Sequence, residues 1–267
     1  MSRRPNVAMT IAGSDSSGGA GVVADLKTFE ALGVWGTTAI VAVTAQDTVG
    51  VHDAHVLPAG IIRAQIMAVS TDIGIDAAKT GMLATADTVA AVVGAIRDAG
   101  IERLVVDPVM VSKHGDPLLA EEAVAAVRDE LLPLASVVTP NLPEASALLG
   151  WPIGDRAAML DAARALSSFG PGAVLLKGGH LRDGTGSPDL LWAGGEELWL
   201  EGARLAVRHT HGTGCVLSAA ITAELARGRS VEDAARTAKR FVNQAIAAGV
   251  ELGAGIGPVD PGWGRSS

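Results

Sequence analysis

Cysteine occurs once in these 267 residues, tyrosine never, and aromatic side chains make up only 3% of the chain. A single cysteine excludes an intrachain disulfide and any cysteine-rich zinc site, and it fits a reducing compartment. The five tryptophans are scattered, so no stacking platform for nucleic acid can be assembled from them. Basic residues are also short, at 21 Lys and Arg against 29 Asp and Glu, for a formal net charge of −8. That balance, with no basic run, argues against a nucleic-acid surface. No apolar stretch is long enough to span a bilayer, and the run Val7–Ala12 behind Arg3 and Arg4 is too short for a signal-peptide core. The absences predict a cytoplasmic protein that acts on a small molecule and binds neither membrane nor nucleic acid. The pattern Gly-x-x-x-x-Gly-Lys-Ser/Thr is missing too, so a phosphate ligand would need another cradle.

Short apolar runs alternating with helical patterns predict βαβ units, a mainly parallel sheet and an α/β fold in one domain over residues 1–267. Strands are expected at Val7–Ala12, Thr37–Ala45, Ala77–Thr80, Leu104–Asp107, Ser136–Thr139 and Ala173–Lys177. Helices are expected at Ala20–Leu32, Pro58–Ser70, Ala86–Ala99, Glu121–Leu131, Arg156–Phe169, Thr213–Arg227 and Val231–Ala248. Leu190–Ala193 and Glu197–Leu200, separated by Gly194-Gly195, read as an antiparallel hairpin, with Leu205–His209 as a further strand. The segment holding His52 and His55 reads as a surface loop. Polar and glycine residues gather just after the strands, where open α/β sheets bind ligands.

His209-Thr-His-Gly-Thr-Gly-Cys215 is the most informative of these stretches. A glycine turn opening an apolar helix presents the amides of Gly212, Thr213, Gly214 and Cys215 to whatever lies beyond, and the helix dipole favours an anion there. The same field predicts a depressed thiol pKa and makes Cys215 a candidate base. Lys177, before Gly178-Gly179, is either a phosphate ligand or a solvated lysine. Asp107-Pro108 is either a metal or phosphate-side acid or a turn former. Asn141 and Glu144 are either oxygen ligands for magnesium through water or a helix capping box. Gly19-Ala20-Gly21-Val22-Val23-Ala24 meets a loose dinucleotide fingerprint, but the polar insert Gly13–Ser17 separates it from its strand and suits a substrate loop. The polar stretch Val111–Asp116 reads as a cover for the site.

Taken together, the chain resembles the hydroxymethylpyrimidine/phosphomethylpyrimidine kinases of thiamine biosynthesis, in the ribokinase superfamily. The resemblance rests on Thr10–Gly21, Ala24–Phe29, Thr44–Gln46, Lys79–Leu83, Asp107–Met110, Gly115–Leu119, Thr139–Glu144, Lys177–His180 and Thr210–Cys215. It implies a three-layer fold, with ATP as co-substrate, Mg2+ as cofactor and a homodimer. It further implies that Gly13, Asp25, Gln46, Met82 and Val109 surround a pyrimidine, that Cys215 is the base, and that Asp107, Asn141, Glu144 and Lys177 serve magnesium and phosphates. Many relatives carry proline where this chain has Ser16, and asparagine where it has Asp47, which would add charge beside the pocket. Pyridoxal kinase activity, a nicotinamide-dependent oxidoreductase and a pyrimidine-binding regulator without turnover are the competing readings.

Overall fold

The computed structural model describes residues 4–112, 115, 118–181 and 186–264. An eight-stranded sheet comprises β1 (Val7–Ala12), β2 (Trp35–Ile40), β5 (Ala77–Thr80), β6 (Leu104–Val106), β7 (Val137–Val138), β8 (Ala173–Lys177), β9 (Asp189–Ala193) and β10 (Glu196–Leu200). Its order is β10-β9-β8-β7-β6-β5-β1-β2. The strands from β8 to β2 run parallel, and the β9–β10 hairpin extends the sheet antiparallel beyond β8. From β1 the chain proceeds to β2 on one side, while β5 pairs on the other, so strand order reverses between β1 and β5. A crevice opens at such a switch point.

Both faces of the sheet are covered, which is why β1, β5, β6 and β7 are buried throughout rather than alternating. Met9, Ile11, Leu104, Val106, Val138, Val174 and Leu176 face α2 (Ala59–Asp72), α3 (Ala86–Asp98), α4 (Glu121–Ala126), α5 (Leu142–Leu149) and α6 (Arg156–Ser167). The alternate residues Ala8, Ala77, Val105, Val137, Ala173 and Leu175 face α1 (Gly21–Ala31), α7 (Thr213–Ala226) and α8 (Val231–Ala247). This is the three-layer arrangement expected. Every residue from Val216 to Ala226 is buried, because α7 lies between the sheet, α1 and α8. Among the described residues, no helix is long and apolar enough to cross a membrane.

Three segments differ from the sequence reading. The expected strand Thr37–Ala45 is two strands: β2 ends at Ile40, and β3 (Ala42–Gln46) leaves to pair antiparallel with β4 (Val51–Val56) in a separate sheet. The break falls at Val41, whose N–H donates to the Ala12 carbonyl at 2.9 Å, and an unbroken apolar run conceals it. β4 carries His52 and His55 and was expected to be a loop; it is exposed along most of its length, so it lacks the alternation that marks a half-buried strand. Leu205–His209 forms no strand. There Arg204 donates to the carbonyls of Gly179 and Leu181 at 2.8 and 2.7 Å, and Ser187 N–H to Gly202 O at 2.7 Å, folding the chain back over the sheet end.

Candidate active site

A cavity of about 720 Å³ opens at the carboxyl ends of the parallel strands. Its lining combines two sets of residues, Gly13, Gln46, Met82 and Val109 in one and Asp107, Asn141, Glu144, Lys177, Gly212, Thr213, Gly214 and Cys215 in the other. Residues expected to act together are thus brought to one cavity, with one exception. Asp25 is fully buried on α1, accepts from Thr10 Oγ1 at 2.6 Å and from Lys79 Nζ at 3.0 Å, and does not line the cavity. Lys79, its ion-pair partner, does.

The anion side starts from the turn into α7. Gly212 caps the helix with φ 81° and ψ 1°, and no side chain caps it. A Cβ at Gly212 would overlap the Gly19 carbonyl oxygen, so both conformation and close approach require glycine. Thr213 Oγ1 donates to Thr210 O at 2.7 Å and pins the turn. At Gly214 a Cβ would lie 3.3 Å from Lys177 Nζ and 3.8 Å from Asp107 Oδ2, so glycine lets the charged groups reach the helix start. Positive helix end, lysine and carboxylates therefore share one small volume.

Lys177 Nζ donates to Asp107 Oδ1 at 3.0 Å and stands 3.7 Å from Glu144 Oε2. Asp107 is 1% exposed and accepts also from Ser218 Oγ at 3.0 Å and Thr139 Oγ1 at 3.3 Å. It is a buried, paired carboxylate rather than a solvent-facing turn former. Burial alone would raise its pKa, but Lys177 and Lys79 outweigh that and hold it low. Burial, reinforced by Asp107 and opposed by Lys177, raises the Glu144 carboxyl to about 7. Lys177 is held charged, because Asp107 and Glu144 overcome the penalty of its burial. Asn141 and Glu144 do form a capping box, Glu144 N–H to Asn141 Oδ1 at 2.8 Å and Asn141 N–H to Glu144 Oε2 at 2.7 Å, while both still line the cavity.

Cys215 departs from expectation. The helix terminus was expected to depress its pKa; instead burial pushes the thiol up to about 12, against the opposing pull of Lys79 and an N–H from Gly21.

The part of the lining around Gln46 is set by the loop after β1 and by β3. Ser14 Oγ accepts from Thr44 N–H at 3.1 Å, Thr44 Oγ1 donates to Ser14 O at 2.8 Å, and Ser16 Oγ donates to Thr44 O at 2.5 Å. Ser16 thus ties the loop after β1 to β3, a bond that proline could not make. Thr44 Oγ1 also lies 3.4 Å from Gln46 Oε1. A Cβ at Gly13 would overlap Met82 Cε, so glycine leaves room for that side chain on the cavity wall. Asp15 and His211, both buried, pair at 2.7 Å and join this loop to the turn before α7. Asp47 does not line the cavity; His52 holds its carboxyl down to about 2 from 2.9 Å away on the exposed hairpin. Of the expected cover, Val111 and Ser112 line the cavity, whereas Lys113, His114 and Asp116 lie outside the described residues.

Residues 15–260 match the phosphomethylpyrimidine kinase family. The chain belongs to this family. A hydroxymethylpyrimidine/phosphomethylpyrimidine kinase of Streptomyces coelicolor is 52% identical over 260 residues, covering 97% of this chain and 95% of that one. Among solved structures, the phosphomethylpyrimidine kinase of Clostridium difficile is 40% identical with a TM-score of 0.81, covering 90% and 99% of the two chains. The pyridoxal kinase of Staphylococcus aureus, in complex with AMP-PCP and pyridoxal, is 37% identical with a TM-score of 0.90, covering 98% and 95%. As a member of this kinase family the protein is a phosphotransferase, which removes the oxidoreductase and non-catalytic readings.

Proposed function

We propose that the protein transfers the γ-phosphoryl group of ATP to the hydroxymethyl oxygen of 4-amino-5-hydroxymethyl-2-methylpyrimidine, and then phosphorylates the monophosphate to the diphosphate. The observation that carries this reading is the junction of two unlike walls in one cavity. A neutral wall bearing Gln46 meets an anion-binding wall bearing the α7 N-terminus and Lys177. Gln46 offers an acceptor and two donors, matching an aminopyrimidine edge. The hydroxymethyl group would reach Cys215, whose thiolate accepts the hydroxyl proton as the oxygen attacks the γ-phosphorus. The bond from that phosphorus to the β-phosphate bridging oxygen breaks, and ADP leaves. The amides of Gly212, Gly214 and Cys215 and the Lys177 ammonium would stabilise charge on the phosphoryl oxygens.

The residues present suit Mg2+ held mainly by water and phosphate. Among the described residues no three His, Cys, Asp or Glu side chains converge as a protein-only metal cage. Magnesium usually keeps several waters and takes one or two protein carboxylates plus substrate phosphates. Glu144 and Asn141 would hold such an ion through water, with Asp107 alongside, and it would neutralise the phosphates. The homodimer and a cytoplasmic location belong to the same proposal, and sedimentation velocity reads the first directly.

The decisive test is incubation of the protein with Mg-ATP and hydroxymethylpyrimidine or pyridoxal, with products weighed by mass spectrometry. Mono- and diphosphates of the pyrimidine are expected. Pyridoxal phosphate as the sole product would move the assignment to the other branch.

A further inference from the structure

Lys79 is fully buried within a strand whose other residues are Ala77, Ala78 and Thr80, and its side chain nevertheless lines the cavity. Its Nζ donates to Asp25 Oδ1 at 3.0 Å, and Asp25 Oδ2 is occupied by the Thr10 hydroxyl. Two ions taken fully out of water are costly, and apolar residues would hold β5 to α1 equally well. α7, which carries Cys215, packs directly on β5. A buried cation at the cavity wall thus faces the helix that bears the sulfur. The groups whose charge reaches Cys215 are Lys79 on β5, Asp25 on α1, Asp107 after β6 and Lys177 at the end of β8. Of these, Lys79 exerts the strongest pull toward thiolate, ahead of the opposing push from Asp25.

We infer that Lys79 is a positioning residue of phosphoryl transfer: held by Asp25, it supplies the positive charge against which the Cys215 thiolate forms. This rests on the reading of Cys215 as proton acceptor. Asp25 acts through Lys79 rather than by touching the pyrimidine, which accounts for its place outside the cavity.

Cys215 is the sole cysteine, so its ionisation can be read chemically without interference. Iodoacetamide is attacked by thiolate, which forms the S–C bond and expels iodide, so the alkylation rate below the thiol pKa follows the thiolate fraction. Each pKa unit changes that rate tenfold. At pH 8, Lys79→Gln should slow alkylation about tenfold or more, whereas Asp25→Asn, which leaves the cation facing the sulfur alone, should accelerate it severalfold. General loosening of the fold would accelerate both. Equal rates in all three proteins, or shifts of the same sign, would overturn the inference. If Lys79→Gln fails to fold, Asp25→Asn is compared with Asp25→Asn/Lys79→Gln: slower alkylation in the double variant supports the role, and equal rates refute it. The kcat of Lys79→Gln should fall with KM for ATP little changed. Because alkylation reads the sulfur whether or not it is the base, failure of that base reading would show separately, as full turnover in Cys215→Ala.

Discussion

The two walls of the cavity are made in opposite ways. The anion wall is built on buried sheet ends and on α7, a helix buried along eleven consecutive residues, and its charges are desolvated and paired. The neutral wall takes Met82 and Val109 from the ends of β5 and β6, but Gly13 and Gln46 from the loop after β1 and from a two-stranded hairpin whose second strand is exposed along most of its length. Rigid burial suits the phosphoryl-binding role proposed for this wall, since preorganised groups in low dielectric act most strongly. A wall that only needs to recognise a ring can rest on hydrogen bonds between loops.

Breaking the anion wall should have the largest effect. Lys177→Met removes the cation between Asp107 and Glu144, and turnover should fall by roughly 10²–10³-fold, the usual cost of losing one preorganised charge-stabilising group. Thermal unfolding should show a lower Tm as well, because two buried carboxylates lose their partner. Gly212→Ala should come next. It places a side chain at φ 81° and against the Gly19 carbonyl, for a strain of about 1–3 kcal/mol, read as a lower Tm together with weaker ATP binding by calorimetry. On the neutral wall, Gln46→Ala should raise KM for the pyrimidine about tenfold, one lost hydrogen bond's worth of 1.4 kcal/mol, with KM for ATP unchanged.

The smallest expected effect is a pH dependence of stability. Glu144 has a folded pKa of about 7 against an ordinary 4.5, so between those values the folded protein binds more protons than the unfolded chain. By linkage, its contribution to stability is greatest below pH 4.5, declines through the window and reaches its full cost above pH 7. Glu144→Gln keeps a capping-box partner for Asn141 but cannot ionise. The Tm difference, variant minus wild type, should therefore rise between pH 4.5 and 7; a flat difference would show that Glu144 is not desolvated as described.

The same contrast governs what the sequence reveals. The anion wall was legible because its parts are local: a glycine turn before an apolar helix, and a lysine or aspartate closing a hydrophobic strand. The capping box of Asn141 and Glu144 was legible from their spacing, and it leaves both residues on the cavity lining; their service to magnesium belongs to the proposal. The neutral wall was less so. Nothing between Ala39 and Val43 interrupts the apolar run where β2 gives way to β3, and β4 shows no alternation because neither face is deeply buried. Leu205–His209 has a strand's composition, but Arg204 fastens its start to carbonyls of the preceding loop. The elevated thiol of Cys215 and the enclosure of Asp25 depend on how closely α1, β5 and α7 pack, which no local pattern records. One signal was available, a lysine in the middle of Ala77-Ala-Lys-Thr80, where an apolar residue would be expected.

On the proposed function, phosphoryl transfer takes place at the N-terminus of α7 with Cys215 taking the proton. Steady-state turnover of Cys215→Ala beside wild type, with Mg-ATP and hydroxymethylpyrimidine across pH 7–9, tests it most directly. Wild-type kcat/KM should rise with pH, because a thiol held near 12 gives about ten times more thiolate per pH unit. The variant should lose on the order of 10²-fold in turnover together with that pH dependence. Full turnover in Cys215→Ala, with the wild-type pH profile intact, would contradict the proposal.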